Sequence, residues 1–231
     1  MREHQLAMPG FDRDEVFGAV TLDPPWLERG SGQSKRGADR HYPLMSTPEI
    51  AKLLKTECRE LRLMREHAHA YLWVTDNFLE DGLWLLGELG YRYVRTIQWV
   101  KVRGDAAALD FETGAAVATD ALELRFGIGQ YARGAHEMML FGVRGDGMDP
   151  SVCTEHRDIP SVILAPVPVD ERGQRIHSRK PDASYELIER RSKGPYLEVF
   201  ARRAYGPDWT CWGNQAPVVG AAEAFEAGGA S

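Results

Sequence analysis

The period of the apolar positions changes several times along the chain, and each change marks an element. Residues 16–22 (VFGAVTL) are almost continuously apolar and run straight into Asp23, the pattern of a buried strand. Ile50, Leu53, Leu54, Leu61 and Met64 then recur at helical spacing. With Ser46 or Thr47 as N-cap, Pro48 in the first turn and Glu49 adding favourable charge, a helix is predicted from there to about Glu66. Residues 68–74 (AHAYLWV) read as a second buried strand, and Asp76 or Asn77 caps a helix ending near Gly90. Strands follow over 91–101, 136–143 and 162–165, the middle one closed by the turn Arg144-Gly145-Asp146-Gly147. Pro181 opens a helix to about Ser192, with Gly194 past its end, and strands at 196–200 and 209–212 complete the series. Strands alternating with helices predict an α/β sheet. Trp73, Trp84 and Trp99 lie in apolar elements and are read as core, and His67 and His69 as structural.

Three stretches fit no element: a glycine-rich basic loop at 29–40, a segment at 104–128 carrying five acids, and an Ala/Gly-rich tail at 216–231, read as disordered. The 231 residues, 43% hydrophobic, are expected to form a single domain over 1–215. No apolar run approaches a membrane span, and no membrane partner is expected. Net charge of −6 argues against a nucleic-acid binder until its distribution is read. Residues 29–40 hold four Lys/Arg against one acid, and residues 172–203 hold nine against four, so two basic patches sit on an acidic body. Cys58, Cys153 and Cys211 are far apart in the sequence, which argues against a structural metal centre or disulfide framework, and no metal is expected. Free thiols and an N-terminus without a signal-peptide pattern indicate a cytoplasmic protein.

At the end of the first strand stands Asp23-Pro24-Pro25-Trp26. Ligands of open α/β sheets bind beyond the carboxyl ends of the strands. Two consecutive prolines fix φ twice and remove two N–H donors, so the backbone is stiff and its carbonyls are predicted to lack a local donor. This arrangement suits one chemical demand. An exocyclic amine such as adenine N6 has a lone pair delocalised into its ring, and acceptors that hold both of its hydrogens turn that pair outward, toward an electrophile. The Asp23 carboxylate and the Pro24 carbonyl form such an acceptor pair. Trp26 offers a stacking surface, worth about 1–3 kcal/mol to a base. The same tetrapeptide also fits a plain turn with a packed Trp, and the four residues alone do not separate the two.

The wider chain resembles the MT-A70 family of S-adenosylmethionine-dependent adenine N6-methyltransferases, in its bacterial and phage branch. The match runs from about residue 19 to 215. It is carried by Asp23-Pro24-Pro25-Trp26, His41-Tyr42-Pro43-Leu44-Met45-Ser46, Tyr71-Leu72-Trp73-Val74, Gly129-Gln130-Tyr131-Ala132-Arg133 with His136-Glu137, His177-Ser178-Arg179-Lys180-Pro181, Leu197-Glu198-Val199-Phe200-Ala201-Arg202, and Trp209 with Gly213-Asn214-Gln215. The resemblance implies a Rossmann-like methyltransferase sheet, mostly parallel with helices on both faces, the catalytic strand early and the cofactor strand late. It implies that Asp23, Pro24, Pro25 and Trp26 are catalytic. It implies that S-adenosylmethionine is held by Asp23 at the methionine amino group, by Lys180 at the carboxylate, and by Arg202, Asn214 and Gln215 at the ribose, with Glu198 near the ribose. After Arg202 the family often carries polar residues, whereas this chain has Arg203, Ala204 and Tyr205.

Nucleic-acid contact is assigned to Arg36 and Arg40 of the basic loop, to Tyr42, to Tyr131 and Arg133, and to His177, Ser178 and Arg179 beside Lys180. His136 and Glu137 have an alternative reading as a structural hydrogen-bonded pair. The leading expectation is N6-methylation of adenine in DNA, with the base out of the stack. The alternatives are the same reaction on RNA, cytosine N4 methylation, and a non-catalytic nucleic-acid-binding subunit; the intact tetrapeptide with Lys180 and Asn214-Gln215 favours a catalyst. A homodimer is conceivable, but no sequence feature supports it.

Overall fold

A computed structural model of the chain describes residues 17–27, 44–103, 123–125, 131–176, 178–203 and 205–213. Strand β1 (Phe17–Leu22) is buried at all six positions. It has strands on both edges, β2 (Met64–Val74) on one side and β6 (Tyr196–Val199) on the other, both parallel to it. The described residues form a seven-stranded sheet, completed by β3 (Arg92–Val102), β4 (His136–Arg144), β5 (Val162–Pro166) and β7 (Trp209–Trp212), in the order β5-β3-β4-β2-β1-β6-β7. The expected mostly parallel sheet is corrected here to a mixed one. β4 runs antiparallel to both of its neighbours, β2 and β3, and the pairings β1–β2, β1–β6, β6–β7 and β3–β5 are parallel.

Because side chains alternate across a strand, the sheet has two differently packed faces. Val20, Leu22, Leu72, Val74, Leu140, Leu197 and Val199 point to one face, where they meet Ile50 and Leu54 of α1 (Thr47–Thr56) and Leu85 and Leu86 of α2 (Leu79–Glu88). Ala19, Tyr71, Trp73, Met139 and Trp99 point to the other and pack with Ala183, Tyr185, Leu187 and Ile188 of α3 (Asp182–Arg191). Helices therefore cover both faces.

The first helix is shorter than its apolar spacing predicts. α1 starts with a capping box, Ser46 and Glu49 bonding reciprocally, and ends at Thr56. Arg59–Leu63 is a 3-10 turn, and Met64 opens β2 opposite Phe17. Trp84 is a second correction: it lies half-exposed on α2, whereas Trp73 and Trp99 are buried. His69 is buried in a polar tie, its ring nitrogens 2.7 Å from Ser192 Oγ and 2.8 Å from the Gly147 carbonyl, and Tyr71 Oη meets the same serine at 2.7 Å.

Candidate active site

The site lies at the carboxyl ends of β1, β2, β3 and β6, on the α3 face, where the alternation of each strand delivers its chemistry. Asp23 continues the side-chain series Ala19, Thr21; Trp73 continues Tyr71, the register partner of Thr21; Lys101 follows Trp99; and Glu198 sits opposite Thr21. Lys180 arrives from the turn before α3.

Asp23 Oδ1 and Lys180 Nζ lie 3.0 Å apart, and Lys180 also reaches Glu137 Oε2 at 3.1 Å. The other oxygen of Glu137 accepts from Lys101 Nζ at 2.7 Å. Each lysine lies over a tryptophan, Lys180 over Trp73 and Lys101 over Trp99, at 5.1 Å in both cases. The two indoles contact edge to face at 6.4 Å. Burial pushes the Asp23 carboxyl above its ordinary range, and Lys180 opposes that push. Burial also works against the charge of Glu137, but Lys180 and Lys101 outweigh it and hold that carboxyl at about 2. Lys180, between two carboxylates, is held above the ordinary lysine range despite its burial.

The tetrapeptide is fixed by its surroundings. Trp26 stacks on Phe78 at 5.3 Å, and its indole N–H donates to the Trp73 carbonyl at 3.1 Å. With 9% of its surface exposed, Trp26 is an anchor that pins the turn, a different posture from the open stacking plate predicted for it. The proline carbonyls also differ from expectation. Pro24 O accepts from the Trp26 N–H at 2.9 Å and Pro25 O from the Met45 N–H at 2.8 Å. A carbonyl oxygen has a second lone pair, so the Pro24 acceptor keeps capacity for one more hydrogen.

Glu198 extends the site on the β6 side. Oε1 accepts from the Tyr185 hydroxyl at 2.8 Å, while Oε2 is buried without a hydrogen-bond partner. Burial raises this carboxyl to about 7, against the Tyr185 hydrogen bond. An orphaned buried oxygen beside Asp23 and Lys180 fits a ligand hydroxyl, and the paired acid and base fit an ammonium and a carboxylate. These are the polar groups of S-adenosylmethionine, so the residues present fit it. Arg202 is exposed at the end of β6, and its charge acts on Asp23 in the same sense as Lys180. Among the described residues, the non-glycine positions with left-handed φ are Ser178 (61°) and Phe200 (67°). One stands two residues before Lys180 and the other two after Glu198, so backbone strain brackets the site.

Of the residues assigned from sequence, Asp23, Pro24, Pro25, Trp26, Lys180, Glu198 and Arg202 come together. Arg179 stands beside Lys180 with Nη2 3.6 Å from Asp182, Tyr131 is fully exposed, and Arg133 lies at the surface. Arg36, Arg40, Tyr42, His177, Asn214 and Gln215 lie outside the described residues, as do the basic loop and the 216–231 tail. His136 and Glu137 do not pair with each other. As neighbours on a strand they face opposite ways, His136 toward Asp76 at 3.3 Å and Glu137 toward the lysines. Sequence reading missed Lys101 and Tyr185 as site residues; a cation set between two valines at the end of β3 was the available signal for Lys101.

The MT-A70 family model matches residues 17–215. A putative N(6)-adenosine-methyltransferase MT-A70-like protein of Medicago truncatula is 30% identical over 207 residues, 86% of this chain and 26% of that protein. The N(6)-adenosine-methyltransferase catalytic subunit METTL3 of Homo sapiens is 30% identical over 206 residues, 86% of this chain and 28% of that protein. A Drosophila melanogaster relative of the MT-A70-like type is 29% identical over 208 residues, 86% and 27%. The chain thus spans about a quarter of the length of these relatives. They come from a plant and two animals, which gives no support to the narrower placement in a bacterial and phage branch. The chain belongs to the MT-A70 family.

Proposed function

We propose that this chain is an S-adenosylmethionine-dependent adenine N6-methyltransferase acting on adenosine in RNA. The observation that carries the reading is the Asp23 carboxylate at the mouth of buried β1, next to a rigid proline carbonyl and ion-paired with Lys180. The family match supports the reaction. The relatives' names supply the nucleoside: adenosine carries a ribose, so the DNA expectation gives way to RNA, its alternative.

In this reading Asp23 and the Pro24 carbonyl each take one hydrogen of the adenine amine. That pulls the nitrogen toward tetrahedral geometry and frees its lone pair. Lys180 would hold the methionine carboxylate, Asp23 the methionine ammonium, and Glu198 a ribose hydroxyl, with Arg202 and with Asn214 and Gln215, which lie outside the described residues. When bound, S-adenosylmethionine supplies an electrophilic methyl on a sulfonium. The nitrogen gains that methyl, loses one proton, and the Asp23 carboxylate that already holds it is placed to receive the proton. Tyr131, exposed beside the start of β4, offers a stacking surface to the target strand.

The test is methyl transfer from labelled S-adenosylmethionine to RNA and DNA in parallel, with nucleoside mass spectrometry. N6-methyladenosine from RNA is the expected product; N6-methyldeoxyadenosine alone would restore the DNA reading, and N4-methylcytosine would change the base. Asp23→Ala is expected to lose at least about 10³-fold in turnover with its fold intact, and full activity in that variant would sink the mechanism. Failure to bind the cofactor at all would indicate a non-catalytic subunit.

A further inference from the structure

Lys101 and Glu137 are given no role in the methyltransferase reading, yet they are joined to the acceptor through an unbroken series of ion pairs. Lys101 meets Glu137, Glu137 meets Lys180, and Lys180 meets Asp23, at 2.7, 3.1 and 3.0 Å. The four groups come from the ends of β3, β4 and β1 and from the turn before α3. Their side chains are between 11% and 34% exposed, so solvent screens them weakly. The charges alternate and cancel. The two cations rest on Trp73 and Trp99, which fix each other edge to face, so neither ammonium swings away at low cost.

The order of the series has a consequence. Lys180 carries three N–H donors and one charge. With Asp23 as its only anion it would be committed to that carboxylate, which would compete with the amine for the same oxygens. Glu137 draws Lys180 away from Asp23. Lys101 limits that draw, because it neutralises Glu137 from the far side.

We propose that Lys101 and Glu137 are positioning residues that set how far Lys180 is committed to Asp23, and so how available Asp23 is to accept the adenine amine. The inference deepens the methyltransferase reading and rests on it for its functional meaning. The electrostatic linkage itself is a property of the free protein.

The groups facing Asp23 are Lys180, Glu137 behind it, Arg202 at the end of β6, and Glu198 with its partner Tyr185. Those facing Glu137 are Lys180 and Lys101. The two ends of the series then act on Asp23 with opposite sign. Glu137→Gln removes a neighbouring anion and leaves Lys180 wholly to Asp23, so the Asp23 carboxyl titrates at lower pH. Lys101→Met leaves Glu137 to claim Lys180 alone, so Asp23 titrates at higher pH. Lys101→Arg keeps the charge and restores the wild-type titration.

The experiment is a carboxyl-carbon NMR titration of Asp23 in the full chain without ligand, its resonance assigned by loss in Asp23→Asn. It is run on wild type, Glu137→Gln, Lys101→Met and Lys101→Arg, with thermal melts to confirm folding. Opposed shifts in the first two variants, and none in Lys101→Arg, are expected. Shifts in the same direction, or none, would overturn the proposal. Where wild type methylates RNA, the acid limb of kcat/KM is expected to move in the same two directions, and a uniform loss of rate without opposed movement would also overturn it. Absence of methyl transfer in wild type would strike the functional reading and leave the titration result to decide the linkage.

Discussion

Glu198 changes charge near neutrality. Burial raises its carboxyl to about 7, and one of its oxygens has no partner within the protein. An ionised Glu198 is the better acceptor for a ribose hydroxyl, so cofactor affinity is expected to rise from pH 6 to pH 8, and Glu198→Gln to flatten that rise; calorimetry with S-adenosylmethionine measures both. Trp26 makes a different demand. It is buried on Phe78 with its N–H satisfied, so Trp26→Ala is expected to cost about 3–5 kcal/mol of stability in addition to activity. Trp26→Phe keeps an aromatic ring against Phe78 and loses the hydrogen bond to Trp73 and part of the buried ring, so its cost is expected to be smaller by urea unfolding. The role of this tryptophan was only half legible. Its place next to Asp23 stood in the sequence, but Phe78 and Trp73 lie some fifty residues away in the chain, and no local pattern reports that contact.

Among the elements, the strands were the most legible, because burial on both faces leaves short apolar runs that few other structures tolerate. β1, β3, β4, β5, β6 and β7 stand within a residue or so of where alternation and apolar runs predict them. The helix predicted to about Glu66 was not so legible. Leu61 and Met64 keep the helical period, but Met64 is claimed by pairing with Phe17, and the sheet overrides the local preference. Trp84 shows the same limit on a helix surface, since an apolar helix does not announce which stripe will face the sheet. Two glycines of α2 separate packing from propensity. A Cβ on Gly82 would lie 2.5 Å from Val74 Cγ1 and 2.9 Å from Leu140 Cδ1, both on buried side chains, whereas one on Gly87 would meet nothing within 4 Å. Gly82→Ala is expected to lose stability, overpacking of about 1–3 kcal/mol exceeding a helical gain of about 1 kcal/mol. Gly87→Ala keeps that gain alone. The shift of the urea midpoint, down in one and up in the other, is the check.

For the whole molecule, stability is tied to the ionisation of a group far from the chemistry. Burial lowers His69 to about 4, with Gly147 accepting from its ring and Ser192 beside it. The unfolded chain takes up that proton near the ordinary histidine value of 6.5, the folded chain only near 4. The stability present above pH 6.5 is therefore lost as pH falls from 6.5 to 4, by about 3 kcal/mol, and His69→Gln should lose less over that window in pH-dependent urea unfolding. At this scale the sequence was least informative. Alternation placed Asp23, Trp73, Lys101, Glu137 and Glu198 each on a definite side of its own strand, but not which strands are neighbours. The insertion of β4, antiparallel, between β2 and β3 is what sets Glu137 between two lysines. A consequence for biosynthesis follows from that order. The Asp-Pro-Pro-Trp turn leaves the ribosome some 150 residues ahead of Lys180, and Glu198 follows later still. A nascent chain halted between the turn and Lys180 carries the acceptor without Lys180, its counter-cation, and without Glu198, so a piece ending there is expected to hold no assembled site.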